Sequence, residues 1–222
     1  MEKLIVLICF GVLSLFLCIL SALYTKTEKV KTFIAIKGLA SFSYVLLALI
    51  SCNMIYTMKA YSLFIVIGIA TFMFSCIIRA IPTKSDMFHA FYTLIEAIGF
   101  AFMLTSVFFL MEFPLFGLIG GLGSFLIVMI VYLVLRKKHI TKDKLANLLL
   151  QLTSSLFLGI TVHFAIVSLT AQAFIMAGGA ILAFSYVIIQ TFSHFTNKKT
   201  GIAKNILIGV ALILLALSIY FI

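Results

Sequence analysis

Apolar residues fill this chain in long uninterrupted runs, and polar residues gather in the short gaps between them. The runs fall at about 4–24, 33–51, 60–80, 89–111, 114–135, 145–168, 172–192 and 205–222. Each is near the ~20 residues at which an α-helix crosses the hydrocarbon core of a bilayer. A transmembrane barrel would show alternating segments of ~10 residues instead. Inside hydrocarbon no water is present to bond backbone groups, so each run must satisfy its own N–H and C=O groups, which forces helix. The pattern predicts an all-α membrane bundle of eight transmembrane helices, with short connections and no room for a soluble domain. Pro82 and Pro114 fall in a gap and at a helix start, where a missing N–H costs nothing.

Composition excludes the soluble alternative. Of 222 residues, 64% are hydrophobic and 10% are charged. A soluble domain carries about 25% charged residues, because its outer shell faces water. The first run, about Leu4 to Leu23, is too long for the apolar region of a signal peptide, and no small-x-small site precedes the next element. A retained helix is expected there. Cys9, Cys18, Cys52 and Cys76 form no CxxC pair, which argues against a disulfide framework or a zinc site. No metal or cofactor is expected.

The net charge of +10 suggests a nucleic-acid partner only until the charges are placed. Alternate gaps hold Lys26, Lys29 and Lys31; Arg79 and Lys84; Arg136, Lys137, Lys138, Lys142 and Lys144; and Lys198, Lys199 and Lys204. The other side holds only Lys3 and Lys59. The positive-inside rule puts the basic gaps in the cytoplasm and both termini outside. These residues are read as topology signals and partners of lipid headgroups, with no nucleic acid involved.

An internal repeat is visible when residue n is laid on n + 110. FIVIGIATFMFSCII (64–78) and FIMAGGAILAFSYVII (174–189) agree without a gap at Phe64/Phe174, Ile65/Ile175, Gly68/Gly178, Ala70/Ala180, Phe74/Phe184, Ser75/Ser185 and Ile78/Ile188. Both segments run in the same direction. The expected halves, 1–112 and 113–222, are parallel four-helix repeats about an axis along the membrane normal.

Ionisable groups within membrane helices cost ~3 kcal/mol on insertion scales, so they usually face the bundle interior. Lys37 lies about one turn into the second run and Glu96 about two turns into the fourth. Both runs start on the cytoplasmic side, so an ion pair between the two would relieve both desolvation costs. Snorkelling of the long Lys37 stem is the alternative. Lys37, Ser41 and Tyr44 share a helical face at i, i+4 and i+7. Ser75 and Arg79 share another, Ser185, Tyr186 and Gln190 lie at comparable height, and Asn147 and Gln151 open the sixth run from the same side. The cluster reads either as a cavity for a polar headgroup from the inner leaflet or as interhelical hydrogen bonding worth ~0.6 kcal/mol per bond. His163 has no partner that the sequence identifies. Gly117 and Gly121 form a GxxxG pair, expected to serve packing within the bundle first and a homo-oligomer second. No GxSxG, HExxH or phosphate-cradling loop occurs.

The stretch IKGLASFSYVLLAL (Ile36–Leu49) resembles the Lys-containing second helix of the YhhN, or lysoplasmalogenase-like, membrane proteins, and AGGAILAFSYVII (Ala177–Ile189) is similar to their seventh. The family carries Gly-Asp late in its third helix and Ser-Asp in its seventh. The matching positions here are Ser75–Cys76 and Ser185–Tyr186. The resemblance implies eight helices in a cell membrane of bacterial type, and hydrolysis of the vinyl-ether bond of a lysoplasmalogen. That chemistry wants one acid to protonate the enol-ether carbon and one carboxylate to stabilise the oxocarbenium-like species or activate water. Cys76 and Tyr186 replace both aspartates. A hydrolase would then have to use Glu96 as acid/base and Lys37 on the phosphate, with Ser41, Tyr44, Ser75, Arg79, Ser185 and Tyr186 around the substrate. A relative that only binds a lysophospholipid, and a small transporter built from parallel repeats, stand beside it.

Overall fold

The computed structural model describes residues 2–24, 30–53, 60–79, 81, 85–110, 115–136, 144–196 and 201–221. They form eight helices: α1 (Glu2–Leu23), α2 (Val30–Asn53), α3 (Ala60–Arg79), α4 (Asp86–Val107), α5 (Leu115–Arg136), α6 (Lys144–Thr170), α7 (Phe174–Thr196) and α8 (Gly201–Phe221). No strand occurs among the described residues. Seven of the helices are long and apolar enough to cross a membrane, and α5 is apolar over Leu115–Val131. Most helices run a few residues past the apolar runs, because a helix continues into its polar flanks until a cap or loop stops it. Asp86 therefore opens α4 after Ser85 and is not a loop residue. Lys26, Lys29, Lys59, Lys84, Lys137, Lys138, Lys142, Lys198 and Lys199, with Pro82, Pro114, His139 and Asp143, lie outside the described residues.

The outer surface is apolar: Phe116 is 83% exposed, Phe174 70% and Leu115 67%. In water such a coat would aggregate; in lipid it is the expected lining. The interior mixes aliphatic and aromatic side chains with small hydroxyls. Phe72, Phe100, Phe157, Phe164 and Tyr186 are fully buried and meet in one aromatic cluster. Phe100 lies 5.7 Å from Phe72 and 5.3 Å from Phe157, centroid to centroid, and Tyr186 sits edge-on to Phe72 and Phe157. Tilted and edge-on aromatic pairs add ~1 kcal/mol each to their burial. The cluster ties α3, α4, α6 and α7 together and fixes the Tyr186 ring.

Glycines let two helix pairs touch backbone to backbone. A Cβ on Gly68 would stand 2.6 Å from the Gly99 carbonyl oxygen, and one on Gly99 would stand 2.9 Å from that of Gly68. This crossing presses α3 onto α4. Gly121 and Gly159 do the same for α5 and α6, at 2.9 and 2.8 Å. Gly117 also faces α6, against His163 and Val167, so the GxxxG pair lies in the bundle's own packing. His163 is 93% buried at this contact, edge-on to Phe108 at 6.2 Å.

Packing partners recur after four helices. Helix α1 lies on α2 as α5 lies on α6; α2 on α3 as α6 on α7; α3 on α4 as α7 on α8; and α8 crosses to α2 as α4 crosses to α6. Counterparts start at Glu2 and Leu115, Val30 and Lys144, Ala60 and Phe174, and Asp86 and Gly201. That spacing is about one helical turn longer than the spacing at which the residues of α3 and α7 match. The pattern breaks at two places: α1 packs on α8, whereas α5 packs closely on α6 alone, and α3 touches α8 without a matching backbone approach of α7 to α4. Between α6 and α7 the chain turns in three residues. Gln172 adopts φ 58°, and Ala173 N–H donates to Ser168 O at 2.9 Å. Glycine is the usual residue at such a left-handed helix stop.

Gly159→Val should drive α5 off α6 and lower stability by about 2 kcal/mol, since the new side chain would meet the Gly121 backbone at 2.8 Å and the Phe125 Cβ at 3.3 Å. Gly38→Ala, where a Cβ meets nothing within 4 Å, should change stability by less than about 1 kcal/mol and in the stabilising direction. Equilibrium unfolding in mixed micelles reads both; equal effects would contradict the packing described.

Candidate functional site

Five helices bring polar side chains together near the end of the bundle where α2, α4 and α8 begin and α3 and α7 finish. Glu96 is its deepest member. It lies ten residues into α4, ~15 Å from the helix start, and is fully buried. Tyr186 of α7 donates its hydroxyl to the carboxylate, 3.0 and 3.1 Å from the two oxygens. Arg79, the last residue of α3, folds its long side chain back into the bundle and places Nη1 3.4 Å from the same carboxylate. Nη1 also bonds the Tyr186 hydroxyl and approaches Gln190 Oε1 at 3.4 Å. The guanidinium stacks against the rings of Tyr92 and Tyr186, each 5.4 Å from its centroid. Gln190 extends the network by donating to Thr93 Oγ1 at 3.2 Å. Arg79 remains 15% exposed.

The ionic partner of Glu96 is thus Arg79, and the expected Lys37–Glu96 pair does not form. Arg79 was also expected in a basic gap facing headgroups; it is turned inward instead. The reason is the same in both cases. Arginine at a helix end can reach a buried carboxylate several ångströms deeper, and a planar guanidinium serves aromatic faces and carboxylates together.

Lys37 is buried, with 7% of its surface exposed. Its ammonium stands 5.6 Å from the centre of the Phe33 ring on its own helix. It lines a small, partly open cavity of about 20 Å³ together with Ser41, Tyr44, Cys76, Arg79 and Asn205. That is room for about one water molecule. The Cys18 thiol donates to the Asn205 carbonyl at 3.6 Å.

Of the residues expected around a substrate, Lys37, Ser41, Tyr44 and Arg79 meet at this cavity, and Glu96 and Tyr186 stand behind Arg79. Ser75 and Ser185 do not join them. The Ser75 hydroxyl donates to the Tyr92 carbonyl at 3.1 Å, and that of Ser185 to the Ile181 carbonyl of its own helix at 3.0 Å. Successive helical residues point ~100° apart: Ser75 is buried but turned to the α4 backbone while Cys76 lines the cavity, and Ser185 is turned away from the cluster that Tyr186 enters. Asn147 and Gln151 pair with each other at 3.4 Å within α6. Sequence reasoning missed Asn205, Tyr92 and Thr93. Asn205 alone carried a signal: it is an amide one position after Lys204, at the start of the last apolar run.

The arrangement can hold a negative group beside Lys37 and keep Arg79 in place. It is poorly set for acid catalysis by Glu96, whose oxygens already accept bonds and which does not line the cavity. Glu96→Gln leaves Arg79 without its anion and should cost about 2 kcal/mol; a fully buried pair would lose more. Tyr186→Phe removes the shared donor and should cost about 1 kcal/mol. Thermal unfolding in detergent checks both, and an unchanged midpoint for Glu96→Gln would contradict the pairing. Compared with protein-family models, characterised proteins and solved structures, the chain matches none.

Proposed function

We propose that this is a lysoplasmalogenase-like integral membrane protein that retains binding of a single-chain phospholipid and does not hydrolyse it. The supporting observation is the environment of Glu96, the one carboxylate in the polar cluster among the described residues. Vinyl-ether hydrolysis requires an acid that can reach the reacting carbon. Glu96 is instead occupied by Tyr186 and Arg79, behind the cavity wall. The two positions where the resemblance implies aspartate, Cys76 and Tyr186, are both buried and both turned to the polar cluster. The chamber of such a hydrolase would be kept and its acids replaced by a neutral thiol and a phenol.

In this reading the basic end of the bundle faces the cytoplasm, both termini lie outside, and the lipid comes from the inner leaflet. The apolar exterior leaves its chain in hydrocarbon while the headgroup meets Lys37 and Arg79. The transporter reading has no comparable support, because the cavity admits about one water.

Purified protein incubated with a lysoplasmalogen should release no aldehyde, while native mass spectrometry should show the lipid bound, with retention about tenfold lower in Arg79→Gln. Aldehyde release that disappears in Glu96→Gln would replace this reading with the hydrolase.

A further inference from the structure

Among the described residues, charges around the cavity do not balance. Two cations, Lys37 and Arg79, line the cavity, and none of its lining residues is acidic. Glu96 neutralises one charge from behind Arg79. Lys37 makes no ion pair and no hydrogen bond among the described residues, although it is 93% buried; the Glu96 carboxylate acts on it only from a distance. Lys204, in the first turn of α8, is near enough to repel both cations. An ammonium in such a place is unfavourable unless an anion accompanies it.

Donors without protein partners converge on the same space from three helices. The Lys37 ammonium comes from α2. Arg79 lines that space from α3, and every bond described for its guanidinium uses Nη1, which leaves Nε and Nη2 as donors. The side-chain amide of Asn205, 91% buried, comes from α8. The nearby hydroxyl of Ser21 is already given to the Cys18 carbonyl at 2.8 Å. An ammonium, a guanidinium edge and an amide around a space the size of one water form a donor set that suits one oxygen of a tetrahedral oxyanion.

We infer that the cavity beside Lys37, Arg79 and Asn205 is a binding site for a phosphate-type oxyanion, which acts as the missing counter-ion of Lys37. One non-bridging oxygen enters the cavity and the rest of the group occupies its open side. This deepens the lipid-binding reading by naming the group recognised, yet it does not require a lipid: free phosphate and a lysophospholipid headgroup present the same oxygens. The anion is also part of the bundle's stability, since without it Lys37 lies buried and alone.

The test uses the full chain in a non-ionic detergent and three probes: inorganic phosphate, 1-oleoyl-lysophosphatidylglycerol, and monoolein, which has the same chain without phosphate. Thermal unfolding and native mass spectrometry read binding. At least one phosphate-bearing probe should raise the unfolding midpoint, and monoolein should not. Lys37→Met should weaken that response at least tenfold while raising the midpoint of the anion-free protein. Asn205→Ala, which leaves both cations in place, should weaken it severalfold and guards against a folding defect in the first variant. A response to inorganic phosphate but not to the lysolipid supports the anion site and removes the lipid reading. The site is overturned if neither phosphate probe is bound, if monoolein is bound as well as the lysolipid, or if Lys37→Met responds like the parent.

Discussion

The buried contact of Glu96 with Arg79 and Tyr186 is the interaction on which the interior of this bundle depends. A carboxylate in the middle of a membrane helix is tolerated only when donors surround it. Here the donors come from two other helices, so α3, α4 and α7 are tied by one group of atoms. The aromatic cluster of Phe72, Phe100, Phe157 and Tyr186 holds the same three helices, and α6, by shape. The Gly68–Gly99 crossing sets the depth at which the end of α3 overlooks the middle of α4. Packing and electrostatics therefore reinforce one geometry, in the manner expected of a sequence with a single native arrangement.

Using Glu96 in this way has a consequence for chemistry. Among the described residues one anion serves a chamber that contains more than one cation, and that anion is committed to Arg79. Lys37 is left to whatever negative group can enter. The basic end is thus better suited to receive an oxyanion than to donate a proton, which is the physical basis for reading the protein as a binder of phosphate-bearing lipid.

Most of the architecture was legible in the sequence. Hydrocarbon length and the demand for internal backbone bonding leave a run such as 60–80 little choice but helix, and α3 spans Ala60–Arg79. The inward face of α2 was legible too, because Lys37, Ser41 and Tyr44 share it by spacing alone. The partner of Glu96 was not legible. Depth along a helix follows from distance to its end and favoured Lys37 over Arg79, but which side chain reaches the carboxylate depends on helix order, rotation and side-chain length. Arg79 was hidden by its position at the edge of an apolar run, where a basic residue normally marks the membrane surface. Adjacent pairs posed a related ambiguity: Ser75–Cys76 and Ser185–Tyr186 each offer one residue to the polar cluster, and the helical rotation that selects Cys76 and Tyr186, leaving buried Ser75 on the Tyr92 carbonyl, is set by packing.

A double-mutant cycle on Arg79 and Glu96 tests the central contact most directly, using Arg79→Met, Glu96→Met and the double variant, with unfolding free energy measured in mixed micelles. The structure predicts that each single change destabilises and that the double variant recovers part of the loss, with a coupling of about 1–2 kcal/mol. Losses that simply add would mean that the two charges do not meet in the folded protein, and the account of the site would fail with them.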